Sequence, residues 1–264
     1  MELARQALLV HSSYLALGNE RFEANRATFI RNRDMPRVRD ANLVTRITAS
    51  TSADIDALFT AVGSEFAGFP HRRFDVDFMC PPLVEARLVL EGYRHSELLL
   101  MALTGRLAGA ARRFDIRRVA SEADWESYLR LIALDWQEWW ARNSGAAANA
   151  APPDLSPMMG AVRRSKSPPV TYWLGYNDGE PRGYCSSWAG VGGFGYVEDL
   201  FVHPDCRHRG LGTALIHHCV ADCRAQGAGV VVLGADAADT PKTMYAAMGF
   251  QPVTVKREYW KATR

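Results

Sequence analysis

Several features are scarce or missing in this sequence, and each absence excludes a class of protein. The net charge is only +2 over 264 residues, so no strong field favours nucleic acid or an anionic membrane surface. None of the five cysteines belongs to a Cys-x-x-Cys pair, which argues against a structural zinc site or a disulfide framework. We therefore expect reduced thiols, no metal site and no nucleic-acid partner.

Long apolar stretches are also missing. A membrane-spanning helix needs about 20 consecutive apolar residues, whereas the apolar N-terminal stretch is interrupted by His11, Ser12 and Ser13. The same interruption makes this stretch a poor signal peptide. We therefore expect a cytoplasmic protein with no membrane partner.

The Gly-Lys-Ser/Thr triplet of a P-loop is absent as well, which excludes that type of nucleotide site. Lysine is rare, because only four of the 31 basic residues are lysine. Together with the many alanines, this points to a compositional bias rather than to a basic binding surface. Hydrophobic residues make up 48% of the chain, which is ordinary for a globular protein.

The pattern of elements predicts a mixed α/β fold in two parts, residues 1–110 and 114–264. The first part alternates helices and strands and ends in a linker at 107–115. The second part contains a hairpin at Asp178-Gly179 and a long loop at 144–169, which is rich in Gly, Ala, Pro and Ser and has room for one helical turn near Met158. Its predicted order is β-α-loop-β-β-β-α-β-α-β.

The most informative stretch is VEDLFVHPDCRHRGLGTALIHHCV, in which a strand leads through Arg207-x-x-Gly210-x-Gly212 into a helix. Free backbone N–H groups at such a helix start attract an anion. Glycine is needed there because a side chain would block the close approach of a phosphate. Two glycines alone would favour a turn that only caps a structural helix.

A second segment, Met244-Tyr245-Ala246-Ala247-Met248-Gly249-Phe250, follows Gly212 after about 33 residues. This segment, together with Val202-His203-Pro204 before the glycine loop, resembles the GCN5-related N-acetyltransferase (GNAT) family over residues 114–264. The resemblance implies a GNAT fold with splayed central strands and acetyl-CoA as co-substrate. It also implies that the coenzyme A diphosphate lies on the loop and that its pantetheine arm pairs with the preceding strand. The implied cofactor-binding residues are Phe201, Val202, Arg207, His208, Arg209, Gly210, Leu211, Gly212 and Thr213.

Acetyl transfer to an amine needs a neutral nitrogen and a proton for the departing thiolate. The resemblance implies that Tyr245 is the acid, and an ordinary phenol is protonated at neutral pH. It also implies that Glu198 and Asp199 lie near the amine, with Glu198 acting through water or holding the ammonium electrostatically. Adjacent strand residues point to opposite faces, so only one should face the acetyl group unless a bulge intervenes.

Three tryptophans, Trp136, Trp139 and Trp140, end the first helix of this second part. The resemblance implies that this helix lines the acceptor site, where aromatic rings can enclose a cation. The same tryptophans fit a hydrophobic core equally well. The four histidines between His203 and His218 are expected on the surface.

The N-terminal part is weakly similar to the C-terminal part over residues 74–104, around Gly92-Tyr93. The position that matches Tyr245 is Leu88, and no Arg-x-x-Gly-x-Gly occurs before residue 110. We therefore expect a degenerate, partial GNAT-like domain with a structural role in shaping the acceptor cleft.

Three functions fit the sequence. The first is an N-acetyltransferase that moves an acetyl group from acetyl-CoA to a primary amine of a small cationic molecule, by direct attack in a ternary complex. The second is a protein or peptide N-acetyltransferase, which predicts an open groove. The third is a non-catalytic acyl-CoA-binding module. For each of them we expect a monomer or a homodimer.

Overall fold

The computed structural model describes residues 1–110, 112–144 and 155–263. The chain forms two compact units, one of Met1–Ala102 with Gly234–Arg264 and one of Leu103–Leu233. The chain therefore leaves the first unit after residue 102 and returns to it at residue 234. This division differs from the predicted boundary between residues 110 and 114 because the C-terminal residues, including Tyr245, are grouped with the N-terminal ones. A catalytic domain over residues 114–264 stays a prediction.

The first unit is a mixed sheet with four helices, and its strands lie in the order β1-β2-β3-β4-β11-β5. Strands β3 and β4 are parallel, and the last strand of the chain pairs antiparallel with both β4 and β5. The elements are α1 (Glu2–Ala16), β1 (Glu20–Ala24), β2 (Ala27–Arg31), β3 (Leu43–Thr45), α2 (Ser52–Glu65), β4 (His71–Val76), α3 (Pro82–Leu90), β5 (Arg94–Leu103), α7 (Pro241–Ala247) and β11 (Gln251–Ala262).

One hydrophobic cluster of the first unit forms where α2 and α3 cover the sheet. Leu58 of α2 and Leu88 of α3 are buried in the same cluster as Phe29 and Phe74 of the strands. The aromatic rings stack, with 5.1 Å between the centroids of Phe59 and Phe74. Burial of such rings is the main term that stabilises this unit.

The second unit is also a mixed sheet, with strand order β10-β9-β8-β7-β6. The meander β7-β8-β9 is antiparallel, whereas β9 and β10 are parallel. Strand β10 begins in this unit and ends in the first one. The elements are β6 (Asp115–Arg118), α4 (Glu122–Ser144), α5 (Leu155–Lys166), β7 (Val170–Asn177), β8 (Glu180–Val191), β9 (Phe194–Val202), α6 (Leu211–Ala225) and β10 (Val230–Asp236). The mixed sheets and their helices confirm the predicted α/β fold.

A group of aromatic residues between α4 and the meander forms part of the core of the second unit. Tyr128 of α4 lies against Tyr172 of β7 and Tyr184 of β8, with centroid distances of 5.4 and 4.7 Å. Tyr184 stacks in turn on Phe201 of β9. All four rings are buried. The ring stack holds α4 against the strand that enters the glycine loop.

Helix α5 corrects the prediction of a loop at 144–169. Residues 145–154 lie outside the described residues, but Leu155–Lys166 form a helix of 12 residues. Met159 and Val162 are buried on one face of this helix, and it packs against α4. Gly160 lies so close to α4 that an added Cβ would lie 2.0 Å from a methyl carbon of Leu129. Tertiary packing therefore stabilises a helix that its composition disfavours.

Candidate functional site

The glycine loop leads directly into α6 of the second unit, as the sequence predicts. Gly210 is the residue before the helix, with a φ of 95° in the left-handed region, and no side chain caps the helix start. The first intrahelical hydrogen bond is donated by Ala214 N to Gly210 O at 3.0 Å. The N–H groups of Leu211, Gly212 and Thr213 therefore have no partner within the helix. Such a helix start can bind a phosphate.

Both glycines of the loop are in restricted surroundings. A Cβ on Gly212 would lie 3.4 Å from Cγ2 of Val202, and a Cβ on Gly210 would lie 3.4 Å from Cδ of Arg112. A side chain on Gly210 would also be strained by the positive φ. These residues fit the diphosphate of coenzyme A, because a bare backbone lies where a large anion has to approach.

Arg112 is a residue of this site that the sequence analysis missed, because residues 107–115 read as a linker. Its aliphatic stem covers Gly210, and its Nη1 lies 3.5 Å from the carbonyl oxygen of Arg209. The guanidinium is exposed beside the loop. The basic pair Arg112-Arg113 just before β6 is the sequence signal that marks it.

Arg207 acts within the loop through its side chain. Its Nε donates to the carbonyl oxygen of Val202 at 2.9 Å, and its Nη2 pairs with Glu138 of α4 at 2.6 Å. Both contacts hold the loop against β9 and α4. His208 is exposed and has a positive φ of 59°, so its backbone contributes to the bend. Arg207 therefore shapes the loop and leaves the predicted anion contacts to the backbone N–H groups.

The pairing between β9 and β10 ends partway along β9. The parallel register runs from Phe194↔Val230 to Val197↔Leu233, and in the described part of the second unit no pairing of β9 with β10 continues beyond Val197. On its other side β9 stays paired with β8 as far as Val202. From Glu198 to Phe201 the edge of β9 therefore has no β10 partner among the described residues, as the predicted splayed strands require.

Strand β9 contains a bulge at the predicted acidic pair. Between the partners Ser186↔Glu198 and Tyr184↔Phe201, β9 has one more residue than β8, and Asp199 has a positive φ of 61°. The bulge interrupts the alternation of side chains, so the two carboxylates are not held on opposite faces. A bulge of this kind redirects backbone groups at a site.

The two carboxylates have different surroundings. Asp199 forms an ion pair with Arg163 of α5, at 2.5 Å, and both side chains are largely buried. Glu198 is half-buried, and its carbonyl oxygen accepts a hydrogen bond from the Ser186 hydroxyl at 3.1 Å. The contact with Arg163 neutralises much of the charge that Asp199 would offer to a cationic acceptor.

The three tryptophans lie near the end of α4 and are all half-buried. Trp136 and Trp139 meet edge to face, with 5.2 Å between their centroids. They are neither fully exposed nor part of the buried core. Both of the predicted roles, acceptor binding and packing, therefore stay open.

One pair of residues at this site was not predicted. Asp135 of α4 accepts a hydrogen bond from the Tyr184 hydroxyl at 2.7 Å. Burial raises the pKa of the Asp135 carboxyl to about 6, although the hydrogen bond from Tyr184 acts in the opposite direction. The two residues are 49 positions apart, and no sequence pattern connects them.

Tyr245 belongs to the first unit. It lies on α7 and is buried, and its ring meets Phe250 edge to face at a centroid distance of 6.2 Å. Its backbone carbonyl accepts from Phe250 N at 3.1 Å, which closes the turn after the helix. The role of Tyr245 as the acid stays a prediction.

Among the described residues, one group has a spacing that would suit a metal ion: His11, Asp75 and Glu258, whose ligand atoms lie within 4.8 Å of one another. Lys256 and Arg73 already pair with both carboxylates. Burial and the neighbouring Lys256 lower the pKa of His11 well below its ordinary value. Two fixed cations beside two carboxylates make this group a buried ion-pair network.

An unpaired edge on β9, a bulge and an uncapped helix start after the glycine loop occur next to one another along the chain, as the predicted acyl-CoA site requires. Residues 125–250 match the model of the acetyltransferase (GNAT) family. These residues therefore form a domain of the GNAT family, and the reaction of this family is acetyl transfer from acetyl-CoA. Among curated protein sequences, none matches the chain.

Solved structures with a similar fold extend over both units. A conserved protein of unknown function from Staphylococcus epidermidis ATCC 12228 has a TM-score of 0.69 at 16% identity, covering 94% of this chain and 96% of its own. A GCN5-related N-acetyltransferase from Kribbella flavida has a TM-score of 0.67 at 17% identity, covering 98% and 94%. A tandem GNAT protein from the clavulanic acid biosynthesis pathway has a TM-score of 0.57 at 13% identity, covering 83% and 75%. These likenesses show the fold and fit a two-part GNAT architecture.

The search for membrane spans gave a separate result. Within the part of the chain that the structure describes, no helix has the length and apolarity to cross a bilayer.

Proposed function

We propose that the protein transfers the acetyl group of acetyl-CoA to a primary amine of a small cationic molecule, by direct attack in a ternary complex. The observation that carries this proposal is the uncapped start of α6 directly after the bulged strand β9. The first feature binds the diphosphate, and the second leaves a backbone edge along which the pantetheine arm can pair. We also propose that the protein acts in the cytoplasm, since all five cysteines are free thiols.

A group of carboxylates on α4 and β9 favours a cationic acceptor. It consists of Asp135, Glu138, Glu198 and Asp199, of which Glu138 pairs with Arg207 and Asp199 with Arg163. Clustered carboxylates attract an ammonium group. The half-buried Trp136 and Trp139 add ring faces that can contact a cation.

Bound acetyl-CoA supplies a thioester, which is an activated acyl group. The chain has to orient the thioester, deprotonate the acceptor and protonate the departing thiolate. A backbone N–H of β9 near the bulge is the group that we assign to the developing oxyanion. We assign the protonation of the thiolate to Tyr245 and the electrostatic attraction of the acceptor to Glu198. Asp199 has a smaller part, because Arg163 holds it.

A panel of amines tests this proposal. The release of free thiol from acetyl-CoA would be followed with diamines, polyamines, amino sugars and lysine-containing peptides as acceptors. Turnover with small cationic amines, and not with peptides, is the expected result. Turnover with peptides alone would assign the protein to peptide acetylation. If acetyl-CoA binds in calorimetry but no acceptor releases thiol, the chain is a binding module and the proposed reaction is wrong.

A further inference from the structure

Asp135 lies in the second unit, where α4, α5 and the strands β8 and β9 come together. Its carboxylate accepts from the Tyr184 hydroxyl at 2.7 Å, and the Tyr184 side chain is buried. Asp135 itself is half-buried. Its carboxyl is thus mostly withdrawn from water while part of the residue stays exposed, as is common for residues that exchange protons at functional sites.

The charged groups around Asp135 come from four elements. Arg163 faces it from α5, Asp199 from β9, Glu138 from its own helix and Tyr184 from β8. Arg163 pairs with Asp199 and Glu138 with Arg207, so the neighbouring cations already have their own carboxylates. Among the described residues, no lysine or arginine lies within ion-pair distance of Asp135. Burial without such a pair raises the pKa of the carboxyl to about 6.

We propose that Asp135 is the base that binds the ammonium group of the acceptor and takes its proton, with Tyr184 as the residue that positions the carboxylate. This inference rests on the proposed function. The N–H bond of the ammonium breaks and an O–H bond forms on Asp135, which leaves a neutral amine. The nitrogen lone pair then forms the C–N bond, the C–S bond breaks, and the thiolate leaves with its electron pair. Tyr245 protonates the thiolate, the nitrogen loses its second proton and restores the phenol through solvent, and Asp135 returns its own proton to solvent.

Asp135 fits this task better than Asp199 on β9. A base has to be ionised and free of a committed cation at the working pH, and it is most effective when its pKa lies near that pH. Asp199 fails the second condition because Arg163 holds it. A carboxylate with a pKa of about 6 is ionised at neutral pH and is a stronger base than an ordinary one.

The test compares Asp135→Asn with Glu126→Gln, which removes a carboxylate from an exposed position of the same helix. Wild-type turnover is measured first, with the amine that gives the highest rate in the panel. We expect Asp135→Asn to lower kcat/KM on the order of 100-fold or more, with acetyl-CoA affinity unchanged in calorimetry. Glu126→Gln should retain wild-type rates.

A second acceptor separates a base from a structural anchor. A β-trifluorinated primary amine of matching size is largely neutral at pH 7 and needs no base. If Asp135 is the base, the fold-decrease in kcat/KM caused by Asp135→Asn is at least ten times smaller with this analogue than with the parent amine. Equal losses with both acceptors, or unchanged kcat/KM with the parent amine, would overturn the inference. If the wild type turns over no amine at all, the proposed function fails first, and the base fails with it.

Tyr184→Phe provides a readout that does not depend on how well Asp135→Asn folds. The hydrogen bond from Tyr184 lowers the pKa of Asp135, so its loss raises that pKa further. The rate of a base rises with pH as the carboxyl ionises. We therefore expect the rising limb of kcat/KM, near pH 6 in the wild type, to move to higher pH in Tyr184→Phe. A limb that stays in place would show that Asp135 does not control it.

Discussion

Helix α2 of the first unit and helix α6 of the second begin at the same point of the topology. The two helices differ in what accepts hydrogen bonds from their first N–H groups. In each unit the third strand of an antiparallel meander leads into a helix, and a parallel strand follows. In α2 of the first unit, Thr51 Oγ1 accepts from Asp54 N at 3.1 Å and Asp54 accepts from Thr51 N. In α6 of the second unit, Gly210 has no side chain to offer.

This difference shows how one topology serves two purposes. The capping box of α2 fills the helix start with the chain's own hydroxyl and carboxylate, and Arg26 adds a hydrogen bond to Asp54 at 2.9 Å. The carboxylate of Asp54 thus lies at the start of α2, whereas the start of α6 has space for the anion of a ligand. The first unit is stabilised by its cap, whereas the second leaves its helix start to a ligand. We therefore infer that α6, and not α2, binds the diphosphate.

The largest effect should come from placing an anion at the start of α6. We expect Gly210→Glu to weaken acetyl-CoA binding by at least about 100-fold, since the carboxylate would occupy the helix start and repel the diphosphate. Isothermal titration calorimetry measures the loss.

Gly227→Glu is the matched control for this variant. Gly227 follows the other end of the same helix and has nearly the same φ, 97° against 95°. Both substitutions therefore introduce similar backbone strain, but only one is at the loop. Equal losses of affinity in both variants would mean that strain, rather than the anion site, governs binding.

The second comparison concerns the helices α7 and α3, which carry Tyr245 and, at the matching position, Leu88. Both side chains are buried, but only tyrosine has a proton to give. We expect Tyr245→Phe to lower kcat on the order of 100-fold while the affinity for acetyl-CoA is retained. Single-turnover kinetics at saturating acetyl-CoA measures the chemical step. An unchanged rate would remove Tyr245 from the mechanism and leave it as a core residue.

A smaller effect is expected at Arg112, which has no role in the sequence prediction. Its exposed guanidinium beside Gly210 should contact the diphosphate, and an exposed charge pair contributes up to about 1 kcal/mol. We expect Arg112→Ala to raise the Kd of acetyl-CoA about two- to fivefold, and more at low than at high ionic strength. Arg113→Ala, the exposed neighbour, is the control. A salt-independent change would point to lost packing on the glycine instead of lost charge.

Much of this architecture is readable from the sequence, because its signals are local. The glycine loop, the hairpin turn at Asp178-Gly179 and the amphipathic helices each depend on neighbouring residues. The features that the sequence did not predict depend on contacts between residues that are distant in the chain. Helix α5 forms because Met159 and Val162 pack on α4, in spite of its Gly160 and Pro157. The bulge at Asp199 adds one residue to a strand whose alternation looks regular.

The functional residues follow the same rule. The loop Arg207–Thr213 is contiguous and was found from its spacing, whereas the pair of Asp135 and Tyr184 joins a helix and a strand 49 positions apart. The ion pair between Asp199 and Arg163 connects residues 36 positions apart. Sequence reasoning therefore predicts the phosphate site better than the surroundings of the acceptor.

The smallest effect should come from removing the cap of α2. Thr51→Ala deletes the hydroxyl that accepts from Asp54 N, and losing such a cap should lower the melting temperature by about 2–4 °C. Acetyl-CoA binding should be unchanged, because the cap belongs to the other helix start. Thr60→Ala is the control, since Thr60 bonds only to the carbonyl of Asp56 within the same helix.

The cap should also depend on pH. The hydrogen bond from Thr51, and then that from Arg26, lower the pKa of Asp54 below its ordinary value. A lowered pKa stabilises the folded state above the pKa of the unfolded chain, and this stabilisation is lost as the pH falls through the folded value. The difference in melting temperature between wild type and Thr51→Ala should therefore be largest at neutral pH and shrink in acid. If Thr51→Ala instead weakens acetyl-CoA binding, the start of α2 also contributes to binding. The inference that only α6 binds the diphosphate would then be wrong.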